Sequence, residues 1–521
     1  MPRITVYLVV GVIGAMLLGC SRQAATDAPR NGNPEAAFLA SQLPPLSDLR
    51  EASVLIDFAQ LGHETFSRDL NAWDEGTSLR LASSSTGIVW GIWGFGSATG
   101  ATSCRVDFSG NGGAEAYFAI GDYEKGTWEL GGPLPGPQAE MTIDDPRYFS
   151  GAGDLFIAVI AYASASILVD QLVLSADVSP VQTTIDNSGG YTSLALVNGN
   201  PAISFYDSSS HDLRYVRAND YFGASWGTPL TLDSTGDTGQ WTSLKVVGGN
   251  PAIAYYDFTA KVLRYIRSQD ADGASWDPPT TVDAGTVTGE YCSLEVVAGN
   301  PAISYFYYDG PALRYVRALD STGATWGPPM SVDTDGNTGQ ETSLEVINGM
   351  PAISYRNGGA GQLRYVRGSD AEGTAWQTPI ILGSLTNTGF HSSLALVNGN
   401  PALCFYDGTE SELRYIRAAD SLGDSWNAVQ TLDGLLDDAG SYCSLAVIGS
   451  IPSITYHNGL NGDLRYIRAL DVNGDSWGSV VLLDESSIIT GRDTFLIDLY
   501  GSPAVSYLDH ANFKLRYMWG F

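Results

Sequence analysis

Cysteine, histidine and basic residues are all scarce in this sequence of 521 residues, and each shortage closes off a class of function. Of the five cysteines, Cys104, Cys292, Cys404 and Cys443 are spread without any C-x-x-C spacing, which excludes a zinc module and a dense disulfide framework. They read as buried thiols, with room for one disulfide in an oxidising compartment and nothing in the sequence to choose the pair. The five histidines, His63, His211, His391, His457 and His510, show no H-E-x-x-H or related spacing. Asp333-Thr334-Asp335-Gly336 is a fragment of a calcium loop that ordinary β-turns also use, so no metal and no cofactor is expected. Lys and Arg number 27 against 57 Asp and Glu, a formal net charge of −30. Such a surface repels phosphate backbones, so nucleic acid is not an expected partner.

The start of the chain argues for export. Arg3 supplies a basic beginning, and the apolar run Ile4 to Leu18 is too short for a convincing membrane span but suits a signal-peptide core. Leu17-Leu18-Gly19-Cys20 then resembles the lipobox of bacterial lipoproteins. That resemblance implies a cleaved signal over residues 1–20, lipidation of Cys20 and anchoring in the cell envelope, exposed to the periplasm or the exterior. Because Ser21 and not Asp follows, it implies the outer membrane where the organism has one. Residues 21–49, small, polar and Pro/Gly-containing over Ser21–Pro34, read as a flexible tether between acyl chains and a folded body.

What the sequence has in abundance is repetition. L-R-Y recurs at Leu213, Leu263, Leu313, Leu363, Leu413, Leu464 and Leu515, at spacings of 50 and then 51 residues. Seven copies of such a unit point to stacked modules, none able to bury its apolar surface alone. Within one unit, Thr192–Val197 reads as a strand, Asn198-Gly199-Asn200 as a turn, Ala202–Tyr206 and Leu213–Arg217 as further strands, and Pro229–Leu232 as a fourth. These strands are apolar on both faces, as expected of sheets covered on both sides. The expected fold is therefore all-β, a seven-bladed β-propeller over residues 178–521. The seventh unit ends at Phe521 without a fourth strand, and residues 179–186 match the missing one, so they are expected to close the ring by pairing.

After the third strand comes D-x-x-G-x-[ST]-W, at Asp220-Gly223-Ser225-Trp226, Asp270-Gly273-Ser275-Trp276, Asp320-Gly323-Thr325-Trp326, Asp420-Gly423-Ser425-Trp426 and Asp471-Gly474-Ser476-Trp477, with Asp370-Gly373-Ala375-Trp376 as a variant. It resembles a degenerate Asp-box of the BNR, sialidase-like propellers, with one extra residue between Asp and Gly. In that family the box is a structural turn, so the resemblance implies fold more than chemistry. Residues 50–177 carry no repeat. Short apolar runs separated by Gly, Pro, Asn and Asp suggest a β-sandwich, jelly-roll-like, in which Trp73, Trp90, Trp93 and Trp128 serve the core or stack on a sugar.

An enzyme needs unlike groups in one place, whereas these repeats carry nearly the same residues in every blade. A sialidase-like glycosidase would want three arginines, a Tyr–Glu pair and an Asp; Arg214, Arg264, Arg314, Arg364, Arg414, Arg465 and Arg516 offer seven equivalents and no way to select three. They read as interblade partners of carboxylates or carbonyls. The informative position is the one that varies, at the entrance to each first strand: Tyr191, Trp241, Tyr291, Glu341, His391, Tyr442 and Asp493. These are expected to ring the axis on one face, with Lys245, Glu295 and Glu345 further along where other units have alanine. Aromatic plates with carboxylates and an imidazole suit a glycan or an extracellular polypeptide. The expected function is thus that of a non-enzymatic, surface-anchored binding protein, a monomer. Two alternatives stand beside it: the sialidase-like glycosidase, and a multivalent site between blades, resembling fucose-binding propeller lectins, that would recruit Arg217, Trp226 and their counterparts.

Overall fold

A computed structural model describes residues 181–521 apart from 384–385, 435–436, 487–488 and 500 and, before them, Leu43 and the strands and some turns between residues 59 and 175. The signal sequence, Cys20 and almost all of the tether lie outside the described residues. Two compact units divide the chain, residues 1–177 and 178–521.

The first unit holds two antiparallel sheets. One orders the strands Ala72–Glu75, Ser78–Ala82, Ser166–Ser175, Ser103–Asn111 and Gln138–Thr142, with Ala59–Leu61 also paired to Ser166–Ser175; the other orders Ser67–Arg68, Ile88–Phe95, Leu155–Tyr162, Ala116–Asp122 and Thr127–Gly131. From Ser78–Ala82 onward successive strands distribute between the sheets in jelly-roll order. The sheets meet closely: a Cβ on Gly91 would lie 2.7 Å from a methyl of Leu79 in the opposite sheet. Trp93 is fully buried and Trp128 nearly so, and Trp90 packs against the same core as Trp128. Trp93 and Trp128 therefore serve packing and offer no sugar platform.

The second unit is a seven-bladed β-propeller of four-stranded antiparallel sheets. Blade 1 comprises Gly190–Val197, Asn200–Asp207, Asp212–Arg217 and Leu230–Asp233, and its first turn closes with Asn198 and Gly199 both at positive φ (42° and 77°), the hairpin geometry that Asn-Gly favours. Blades 2 to 7 begin at Thr238, Thr288, Thr338, Thr388, Ala439 and Arg492. The seventh sheet takes its outer strand from Val181–Asp186, which pairs Val181 with Trp519 and Thr184 with Arg516. Each first strand touches the first strand of the next blade, and the last touches the first, so these strands line the axis.

Apolar residues on both faces of every blade form a separate core with each neighbour; Val197, Leu213 and Tyr215 of blade 1, for example, pack on Leu244, Ile253 and Tyr255 of blade 2. The repeated polar residues fasten these layers. The tyrosine of L-R-Y crosses to the next blade's D-x-x-G-x-[ST]-W turn: Tyr215 donates to the carbonyl of Asp272 (3.1 Å) while its ring lies edge-on to Trp276, centroids 5.0 Å apart. Tyr517 repeats the contact with Phe222 and Trp226 across the closing interface. The aspartate ending an outer strand reaches forward too. Asp283 accepts from Tyr305 Oη (2.7 Å) and Arg314 Nη1 (2.8 Å) of blade 3, both supplied by the following repeat. All seven third-strand arginines named above are held in ion pairs, five of them with the preceding blade's aspartate and Arg264 and Arg414 with Asp257 and Asp407 of their own blades. Asp333 and Asp335, the calcium-loop fragment, both pair with Arg364.

The D-x-x-G-x-[ST]-W turn works as a clamp. Asp220 accepts from the N–H groups of Phe222, Ala224 and Ser225 and from Ser225 Oγ, and Trp226 Nε1 donates to Gly223 O. Gly223 has φ 71°, and a Cβ there would lie 2.5 Å from the Tyr517 ring, so no other residue fits. In the variant box, where Ala375 has no hydroxyl, Thr374 Oγ1 donates to Asp370 at 2.7 Å instead.

Candidate functional site

At one end of the axis the first strands do not run straight. The pairing of each first strand with its second breaks by a bulge, as between Gln240 and Ser243 or Glu290 and Ser293, and the residue inside the break adopts a left-handed backbone. Those residues are Tyr191, Trp241, Tyr291, Glu341, His391, Tyr442 and Asp493, with φ between 50° and 54°. Bulky side chains avoid this region at a cost of about 1 kcal/mol or more each, so seven in a ring must be held there by their surroundings.

Two repeated contacts hold them. A glycine two residues earlier (Gly239, Gly289, Gly339, Gly389, Gly440, Gly491) has φ from 81° to 114°, and any Cβ on it would fall within 2.6–2.9 Å of a leucine in the preceding blade. The residue after each bulge then bonds backward to the neighbouring bulge carbonyl. Thr192 bonds Asp493 O, Thr242 Tyr191 O, Cys292 Trp241 O, Thr342 Tyr291 O, Ser392 Glu341 O, Cys443 His391 O and Thr494 Tyr442 O, at 2.6–3.2 Å, a closed circle of seven hydrogen bonds.

The bulge side chains thereby converge: all seven line one cavity of about 430 Å³ at the mouth of the axis. Tyr191, Trp241 and Tyr291 form a continuous aromatic arc, with ring centroids 5.2 and 4.9 Å apart. Opposite in character, Glu341, His391, Tyr442 and Asp493 form a polar arc in which the His391 and Tyr442 rings stack at 4.1 Å. Asp493 Oδ2 accepts the N–H of Tyr191 (2.8 Å), and Glu341 takes the N–H of His391, so each acid caps the next bulge while keeping further acceptor capacity.

Burial governs the charges. It pushes the Glu341 carboxyl up to about 7, against the partial compensation of nearby Arg356, and it raises Asp493 as well. Burial, with smaller contributions from His457 and Arg492, pulls His391 down to about 4, so its imidazole is neutral at pH 7, and its Nδ1 has no hydrogen-bond partner. Deeper in the channel Lys245 Nζ lies 2.6 Å from Glu295 Oε2. Burial pulls the Lys245 ammonium down, but Glu295 and Glu345 outweigh it and the net shift is upward; burial in turn raises Glu345.

The cavity has further walls absent from the reading of the sequence: Tyr206, Arg492, His510 and Phe513. Arg492 was within reach of the same argument, since its position, immediately before the bulge, holds Gly190, Gln240, Glu290, Gln340, Phe390 and Ser441 elsewhere and varies as much as the bulge residue. The other three lie on or beside second and third strands, where no axial role is visible before the blades are folded.

The interblade alternative is not supported by its own residues. Arg217 donates to Val197 O and Asn198 O and pairs with Asp272, and Trp226 packs on Tyr517 with its N–H on Gly223. Both are occupied in holding turns and blades together. A cavity of about 640 Å³ does open at the rim between blades 4 and 5, beside Trp426 and Arg414, where the outer strand of blade 4 is only Ile380–Ile381. Arg414 is there committed to Asp407 and Glu412.

Comparison with known proteins adds likeness of shape. No family model matches the chain, and no curated protein matches it. Among solved structures it is similar to the NanB sialidase of Streptococcus pneumoniae (11% identity, 69% of this chain and 92% of that one, TM-score 0.39). It is also similar to a Hadza microbial sialidase (12%, 85% and 94%, TM-score 0.37) and to the Swd1 β-propeller domain of Myceliophteria thermophila (12%, 65% and 99%, TM-score 0.43). At these values the likenesses carry no argument about activity; the fold rests on the seven sheets themselves.

Proposed function

We propose that the axial mouth is a glycan-binding site and that the protein is a non-enzymatic recognition module, tethered to the bacterial envelope through a lipidated Cys20. One observation carries this reading: seven backbone positions of the same strained geometry surround one cavity, yet hold five different kinds of side chain. A scaffold that needed only its shape would have no use for that variety. An arc of aromatic faces suits the C–H face of a pyranose, and two carboxyl groups with an imidazole suit its hydroxyls. Carboxylic acids at the mouth and a net charge of −30 favour a neutral or basic sugar over an acidic one.

Binding is favoured over hydrolysis. The three-arginine carboxylate clamp implied by a sialidase resemblance has nothing to draw on among the third-strand arginines, all of which are tied to aspartates of their own or the preceding blade. The test is a glycan array with residues 21–521, run beside a Trp241→Ala, Tyr291→Ala double variant. Binding by the parent and its loss in the variant is the expected result. Binding retained by the variant moves the site off the axis, and no binding to any glycan turns the reading toward a polypeptide ligand.

A further inference from the structure

Every interface between blades carries one more repeated pair, formed by a second-strand residue and the residue after the next blade's bulge. In five interfaces it is a pair of hydroxyls in hydrogen-bond contact: Ser204 with Thr242, Ser304 with Thr342, Ser354 with Ser392, Thr455 with Thr494 and Ser506 with Thr192, at 2.9–3.3 Å. In a sixth, Ala254 faces Cys292, and in the remaining one Cys404 faces Cys443. Register therefore places two thiols where the other blades place two touching hydroxyls. Both are buried, in one hydrophobic cluster shared by blades 5 and 6. We propose that Cys404 and Cys443 are a disulfide site that ties blade 5 covalently to blade 6.

The hydroxyl pairs at the equivalent interfaces indicate the spacing. A disulfide needs Cβ atoms about 3.5–4.5 Å apart, and the longer C–S bonds offset the shorter S–S bond, so a crosslink spans about the same gap as a hydrogen-bonded hydroxyl pair. In the reaction the two thiols give up two protons and two electrons as Sγ–Sγ forms, and a small-molecule or protein disulfide accepts the electrons and becomes two thiols. Cys443 Sγ at present donates to His391 O, and burial pushes its thiol well up, so the closed propeller resists oxidation. The bond must form while the chain folds, before blades 5 and 6 close over the sulfurs. Its place is not remote from the mouth, because His391 and Tyr442, the stacked pair of the polar arc, belong to these same two blades. Cys292 opposite Ala254, and Cys104 in the first unit, are internal controls.

The test is to express the full chain with its own leader in a bacterial host, denature it in alkylating reagent without reductant, and map its peptides; the same chain refolded in oxidised and reduced glutathione is the second arm. A Cys404–Cys443 peptide with Cys104 and Cys292 alkylated is expected in both. Four alkylated thiols in both arms, or any other pairing, overturns the proposal. A Cys404→Ser, Cys443→Thr variant restores the common hydroxyl pair. It is expected to fold, and to lose the several-degree drop in thermal midpoint that the parent shows when refolded with reductant; an equal drop in the variant also overturns the assignment.

Discussion

The shell between the blades and the mouth of the axis are built on the same seven-fold backbone, but they use it oppositely. Between blades the same side chains recur: tyrosine onto the next D-x-x-G turn, arginine and tyrosine onto the preceding aspartate in most blades, hydroxyl onto hydroxyl in five interfaces. At the mouth the backbone repeats to within a few degrees of φ while no more than three of the seven side chains agree. Uniformity marks where each blade must meet an identical neighbour, and variety marks where seven blades together face something that is not a blade.

The sharpest way to break this comparison is to attack the shell and read the mouth. Asp283→Ala strips a buried tyrosine hydroxyl and a half-buried guanidinium of their shared partner and is expected to cost about 2–4 kcal/mol, seen as a large fall in the denaturation midpoint. Gly289→Ala, which forces a Cβ to 2.7 Å from Leu263 at φ 107°, is expected to cost about 2–4 kcal/mol and to disturb ligand binding as well, because that glycine sets the bulge of Tyr291. If either variant is as stable as the parent, the shell is not what holds the ring.

Mouth residues should behave in the reverse sense. Glu341 has a folded-state value raised to about 7 from 4.5, so the folded protein holds its proton more tightly than the unfolded chain. Its contribution is fully favourable below about 4.5 and is lost as pH rises toward 7, by at most about 3 kcal/mol. Relative to Glu341→Gln, the parent is thus expected to lose stability over that window, measured by denaturation at several pH values. His391 acts in the opposite direction: its lowered value makes stability fall as pH drops from about 6.5 to 4, and a titration of its ring resonance should show no protonation until about pH 4.

Smaller still is a comparison at one position. Tyr291→Gly and Tyr291→Ala both remove the ring, but at φ 54° glycine is expected to be the more stable of the two by about 1 kcal/mol, with binding lost in both. The least effect is expected for Thr374→Ala, which removes the substitute hydroxyl of the variant box in an exposed turn, about 0.5–1 kcal/mol and no change at the mouth.

Much of the architecture was legible before folding because repetition samples the same local physics seven times. The N-G turns, the two-faced apolar strands and the orphan strand expected at 179–186 each have a local reason, and the seven axial residues stood out by varying inside a constant frame. Tyr206, His510 and Phe513 were not legible, because nothing in their own repeats distinguishes a residue that leans over the axis from one that packs outward. Nor was the use of Arg217 and Trp226. Their residue types suit a sugar as well as a turn, and only the carbonyls of Val197, Asn198 and Gly223 show which is made.

Sequence alone determined that there are seven blades and which residues are unlike among them, since strand period, turn chemistry and repeat length are local properties of the chain. The tertiary structure decided the rest: the left-handed bulges, the circle of seven hydrogen bonds, the meeting of an aromatic arc with an acidic one, and the placing of Cys404 opposite Cys443. Each depends on contacts between residues of different blades, about 25–50 positions apart, and packing the blades is what brings those residues within reach.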